Sequence, residues 1–154
     1  MIKKAQTTDL EFIYSLIQKT IKKIYPKYYT QEAVDFFSKL HSRENIEQDI
    51  KSGFVFILIN YEKIIGTGTV IKNHINRLFI YHEYQGRGYG SILLDFLENY
   101  IRKDYDNTCL DSSLPASRFY EKHNYITRTH EKIELDNEAV LVYEIMEKEL
   151  KTEG

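Results

Sequence analysis

The stretch Arg77-Leu78-Phe79-Ile80-Tyr81-His82-Glu83-Tyr84-Gln85-Gly86-Arg87-Gly88-Tyr89-Gly90-Ser91 runs from an apolar strand into a helix through three closely spaced glycines. Only 7 of the 154 residues are glycine, so the cluster is a local feature and not a compositional accident. Successive glycines let the backbone bend until several N–H groups converge, and a helix N-terminus adds unpaired donors and the positive end of its dipole. Such a nest suits phosphate. Two common phosphate loops are excluded by spacing. A Walker A loop needs Lys followed by Ser or Thr after its last glycine, whereas Ser91-Ile92 follows here. The dinucleotide fingerprint needs glycine at position 91 and the first strand of a parallel sheet before it.

Working outward, the strand before the glycines closes a meander. An apolar run from Phe54 to Ile59, a turn at Tyr61-Glu62-Lys63, a second strand from Ile64 to Ile71, a turn at Lys72-Asn73 and a third strand from His74 to Tyr81 predict three antiparallel strands. Earlier come a short strand, Ile2 to Gln6, and a helix capped by Asp9 with apolar Phe12, Ile13, Leu16, Ile17, Ile21 and Ile24, ended by Pro26. An aromatic loop, Tyr25 to Tyr29, leads to a helix near Gln31 to Leu40 and another after Ser42 carrying Ile46 and Ile50. Beyond the glycines, Ile92, Leu93, Phe96, Leu97, Tyr100 and Ile101 form the stripe of an amphipathic helix. A strand from Thr108 to Asp111, a helix from Pro115 to Lys122 and two strands, Ile126 to Leu135 and Ala139 to Glu147, complete the order. This is an α/β (α+β) pattern: a mixed, mostly antiparallel sheet of six to seven strands with helices on both faces.

Composition bounds the function. Hydrophobic residues at 42%, charged residues at 29%, 13 Tyr and 8 Phe fit one globular domain over residues 1–154. A net charge of −2 carries no signal for DNA or RNA. Six lysines among the first thirty residues, against Asp9 and Glu11, read as a solvated helix face or as an anion-contacting surface. The single Cys109 excludes an internal disulfide and any multi-cysteine metal site, and fits a reducing compartment. No run approaches the ~20 apolar residues of a membrane span, so no membrane is expected; no His, Cys, Asp or Glu group has metal-ligand spacing, so no metal is expected; and the location expected is cytoplasmic.

The spacing Gln85-x-x-Gly88-x-Gly90, after a strand and opening a helix, resembles the acyl-CoA pyrophosphate loop of the GNAT (GCN5-related) N-acetyltransferase family. Further along, Ser113-Leu114-Pro115-Ala116-Ser117-Arg118-Phe119-Tyr120-Glu121-Lys122-His123-Asn124-Tyr125 resembles the family's second signature, a helix with Phe-Tyr-Glu-Lys before a left-handed glycine and an aromatic. The resemblance spans roughly residues 54 to 146 and implies a GNAT-like sheet. Two positions depart from the pattern. Asn124 replaces the glycine but tolerates positive φ, and Ser113 replaces an asparagine that contacts the cofactor in many members.

The resemblance implies acetyl transfer from acetyl-CoA to a primary amine by direct attack. It assigns cofactor binding to Phe79, Ile80, Gln85, Gly86, Arg87, Gly88, Tyr89, Gly90, Ser91 and Ser113. Tyr120 matches the family's tyrosine that protonates the leaving thiolate, a role suited to a group protonated at neutral pH. For the general base, His74 shares a strand face with Ile80 if no bulge intervenes; Glu83, Asp111, His41 and Glu44 are other titratable groups. Tyr25, Tyr28 and Tyr29 either line an acceptor pocket or anchor their loop, and Glu44, Glu47 and Asp49 would favour a cationic amine. A non-catalytic acyl-CoA sensor and transfer of a longer acyl group remain as alternatives. The final strand, read as a sheet edge, leaves homodimer pairing open.

Overall fold

The computed structural model describes residues 1–150. Seven strands form one sheet: β1 (Ile2–Lys4), β2 (Val55–Asn60), β3 (Lys63–Ile71), β4 (His74–Ile80), β5 (Asn107–Ser112), β6 (Ile126–Glu134) and β7 (Val140–Glu149). Their spatial order is β1-β2-β3-β4-β5-β7-β6, and every neighbouring pair is antiparallel except β4 with β5. The expected meander is β2-β3-β4. Its first turn places Tyr61 and Glu62 at φ 47° and 64°, the left-handed pair that a two-residue hairpin requires.

Helices α1 (Leu10–Ile24), α2 (Gln31–Leu40) and α3 (Arg43–Lys51) cover one face. Helices α4 (Tyr89–Arg102) and α5 (Ser117–Lys122) cover the other. Thr30 and Ser42 cap α2 and α3 by accepting from the Ala33 and Asn45 N–H groups. Ile13, Leu16, Ile17 and Ile21 of α1 pack with Ile46, Ile50 and strand residues Val55, Ile57 and Phe79. On the opposite face, Leu93, Leu94, Leu97 and Ile101 of α4 meet Phe56, Leu58, Val70, Ile75 and Ile80. Alternation along β2, with Phe56 and Leu58 on one side and Val55 and Ile57 on the other, makes this strand an unbroken apolar run. No helix among the described residues is long and apolar enough to cross a membrane.

Three details differ from the expectations. Phe12 and Ile92 are exposed, while Leu94 and Glu98 are buried, so each stripe is rotated slightly from the sequence reading. The helix expected from Pro115 divides into a 3-10 turn, Leu114–Ala116, and α5. The last strand is not an edge: β7 lies between β5 and β6, paired on both sides, and β6 is the edge strand at that end of the sheet, as β1 is at the other. The short Asp136-Asn137 turn joins β7 to β6 as the sequence suggests, and antiparallel pairing with β5 covers the side expected to be open.

Candidate active site

Strands β4 and β5 are hydrogen-bonded neighbours only at their beginnings, where His74 faces Cys109 and Ile75 faces Leu110. Past that point they diverge. The cause is visible in β4. Thr67 faces Phe79 but Thr69 faces Asn76, so Arg77 and Leu78 together oppose Gly68 alone, and Arg77 sits at φ 48°. This bulge bends the strand away from β5. It also resets the alternation: Ile75 and Ile80, five residues apart, bury in the same cluster beneath α4.

The gap between the strands is part of a cleft of about 980 Å³. The Tyr81 N–H donates to the Ile65 carbonyl of β3, so the N–H and the carbonyl of Ile80 itself point the other way, into the gap. The Gln85 side chain confirms that direction by donating Nε2–H to the Ile80 carbonyl at 3.0 Å. Gly86 and Gly88, at φ 76° and 88°, turn the chain, and Gly88 caps α4. Ile92 is the first to donate back, to the Gly88 carbonyl, which leaves the Tyr89, Gly90 and Ser91 N–H groups in the unpaired first turn. Gly90 is needed for another reason: a Cβ there would lie 3.1 Å from the Phe119 ring. The glycine loop and α5 are thus in direct contact. A second link comes from His123, whose Nδ1 is 2.8 Å from the Phe119 carbonyl and therefore carries the proton. Its Nε2 then accepts from the Ser91 hydroxyl at 2.8 Å.

Tyr120 lies in the cleft wall, packed against Phe119 and Tyr125 with ring centroids 5.3 and 5.5 Å away. Burial, with the Tyr25 phenol nearby, pushes its pKa well above the ordinary tyrosine value. Its hydroxyl takes no hydrogen-bond partner among the described residues, yet it is not one of the sealed unpartnered atoms, which are His82 Nδ1 and Arg102 Nε. Asn124 adopts φ 71°, and the turn it makes returns the Tyr125 N–H to the Tyr120 carbonyl.

The other end of the cleft lies under α1 and α2. Tyr25, its pKa pushed up to about 12 by burial, meets Phe37 edge-on at 4.9 Å. At the bulge, Arg77 Nε donates to His41 Nδ1 at 3.0 Å and its Nη1 pairs with the Asp49 carboxylate. Burial, reinforced by the Arg77 charge, holds the His41 pKa down to about 3.

The family model of the acetyltransferase (GNAT) domain matches residues 25–148. The chain belongs to the GNAT acetyltransferase family. It is 23% identical over 133 residues to the uncharacterized N-acetyltransferase YafP of Escherichia coli K12, covering 86% of this chain and 85% of that one. A GCN5-related N-acetyltransferase structure from Rhodopseudomonas palustris superposes with a TM-score of 0.87 at 20% identity, covering 97% and 95% of the two chains. The PaiA N-acetyltransferase of Thermoplasma acidophilum, in complex with coenzyme A, gives 0.71 at 21% identity over 97% and 98%.

Within this GNAT fold the cleft brings together Tyr25, Tyr28, Phe79, Ile80, Gln85, Gly86, Gly88, Gly90, Ser91, Ser113 and Tyr120. Four other expected residues do not line it. Arg87 and Tyr89 pack on Tyr84, at 5.6 and 6.1 Å. Tyr29 anchors a loop, its hydroxyl accepting from the Leu114 N–H at 2.6 Å. His74 lies on the opposite sheet face from Ile80, because the bulge intervenes, and its Nε2 is 3.6 Å from Asp111. The acidic residues also differ from expectation: Asp49 is occupied by Arg77 and Glu47 by Lys51, so they present no free negative surface to the cleft. The Arg77–His41–Asp49 group joins residues 28 to 36 positions apart in sequence, and no local signal announces it.

Gly88 offers a direct test of the nest. A β-branched residue is a strong outlier at φ 88°, and backbone strain of roughly 1–3 kcal/mol would be relieved by moving the N–H groups. Gly88→Val is expected to weaken acetyl-CoA binding about 10-fold, the equivalent of ~1.4 kcal/mol. Gly88→Asn, which tolerates this region, should retain most of the affinity; titration calorimetry distinguishes the two.

Proposed function

We propose that the protein transfers an acetyl group from acetyl-CoA to a primary amine by direct attack within a ternary complex. The observation that carries this reading is one cleft with a glycine turn and the N-terminus of α4 at one end and an unpartnered phenol, Tyr120, in its wall. The nest, from Gln85 to Ser91, takes the pyrophosphate on backbone N–H groups, and Arg87 adds charge at its rim. The peptide edge around Phe79 and Ile80 pairs with the pantetheine arm, and its N–H stabilises the oxygen as charge develops on the thioester carbonyl. Ser113, at the start of the 3-10 turn, contacts the same arm.

The amine lone pair attacks the carbonyl carbon, the C–N bond forms and the C–S bond breaks. Tyr120 gives its proton to the leaving thiolate and regains one from solvent. Of the titratable groups considered, His41 and Asp111 line the cleft. The His41 Nδ1 lone pair is taken by Arg77. Asp111 is therefore the group assigned to receive the ammonium proton, through water.

A non-catalytic acyl-CoA sensor is the competing reading, and the free Tyr120 hydroxyl weighs against it because binding alone does not require that group. Thiol release from acetyl-CoA across an amine panel, with binding measured in parallel, separates the two. Turnover with at least one amine is expected; tight binding without turnover on any amine would establish the sensor.

A further inference from the structure

The acceptor end of the cleft has one polar atom whose chemistry is unusually constrained. His41 ends α2 and is 9% exposed. Its backbone is clamped: the N–H donates to the Phe37 carbonyl, and the carbonyl accepts from Gln18 Nε2 at 3.0 Å. Its ring meets Phe79 edge-on at 5.4 Å. Arg77 Nε can only donate, so His41 Nδ1 must accept, and the ring hydrogen resides on Nε2. That Nε2–H has no partner among the described residues and is not sealed from the cleft that His41 lines. A buried donor without a partner costs about 1–3 kcal/mol, so a ligand oxygen there would be matched to it.

The surroundings define the rest of the ligand. Tyr25, Phe37, Leu40, Ile133 and Leu141 supply an apolar wall. The charged pair at this end is internally balanced, Arg77 against Asp49, with both side chains largely buried. A neutral histidine beside a neutralised pair offers no net charge to a carboxylate and no free acid to a polycation. Asp111 and Lys122 also line the cleft, from β5 and α5.

Resting on the acetyl-transfer reading, we propose that the acceptor is a primary amine with a bulky apolar body and a neutral oxygen, such as an amide carbonyl, and that His41 Nε2–H selects it. This is the chemistry of a hydrophobic amino-acid amide or peptide N-terminus. It is not that of a polyamine, an aminosugar or a free amino acid.

The test uses CoA-loaded protein and four probes: phenylalaninamide, phenethylamine, phenylalanine and spermidine. Equilibrium binding reads the pocket, and thiol release from acetyl-CoA reads the chemistry, so the two fail separately. Phenylalaninamide should bind about 10-fold tighter than phenethylamine, the range of one satisfied hydrogen bond, with phenylalanine and spermidine weaker still. His41→Leu should bring the amide-to-amine ratio close to one, and His41→Gln, which keeps an N–H donor, should restore part of it. Equal binding of the two aromatic probes to wild type, an unchanged ratio in His41→Leu, or tighter binding of spermidine would overturn the proposal. Selective binding without thiol release from any probe would instead remove the acetyl-transfer reading.

Discussion

Tyr120→Phe is expected to lower kcat for acetyl transfer by about 10²–10⁴-fold, the range of a lost general acid, with acetyl-CoA affinity nearly unchanged. The substitution removes one oxygen and keeps the ring that packs on Phe119 and Tyr125. The loop proposed to hold the pyrophosphate is backbone at the start of α4, so that binding is expected to be independent of the phenol. Burial raises the Tyr120 pKa, which has a signed consequence for pH: the acid remains protonated throughout the neutral range. Activity in the wild type should therefore rise with pH as the amine deprotonates and show no descending limb from Tyr120 near neutrality. In Tyr120→Phe the rise should persist on a lower plateau. A stopped thiol assay, with affinity from calorimetry, checks both; an unchanged rate would remove the acid role.

How the site became legible follows from the range of its contacts. The glycine turn that opens α4 and the Phe-Tyr-Glu-Lys helix are local, each encoded by spacing within a few residues, and both were legible in the sequence. Asn124 at φ 71° likewise follows from the αL tolerance of asparagine. The β4 bulge did not announce itself, because Arg77 is a non-glycine residue at φ 48° held by Asp49 and His41 from two other helices or their ends. That one unseen bulge put His74 on the face opposite Ile80 and outside the cleft lining, which His41 and His123 enter instead. The fate of the last strand was similarly non-local: its apolar and charged residues alternate equally well for an edge or an inner strand, and only pairing with both β5 and β6 decides.

Lys148→Met is expected to destabilise the fold by about 3–5 kcal/mol, the cost of leaving one partner of a buried ion pair alone. Glu98 lies on α4 and is 4% exposed. Lys148 Nζ of β7 reaches both its oxygens, at 2.9 and 3.1 Å, and the Tyr125 hydroxyl donates to the same carboxylate at 2.8 Å. Burial and the Glu98 charge keep the Tyr125 phenol protonated by raising its pKa. Removing Lys148 strands the carboxylate with one neutral donor, and for a domain of this size melting should fall by roughly 6–20 °C. Pairing it with Glu98→Leu should recover most of the loss, since an apolar pair of similar volume avoids the desolvation cost, less about 1 kcal/mol for the orphaned Tyr125 hydroxyl. The position of this network gives it a functional reach. It ties α4, whose start is the proposed pyrophosphate site, to the residue closing the turn after Tyr120, so the two halves of the cleft keep their spacing through it. In the single variant acetyl-CoA affinity should therefore fall even at temperatures where the protein remains folded, and the double variant should regain both properties. An unchanged melting temperature in Lys148→Met would show that the pair contributes nothing beyond packing.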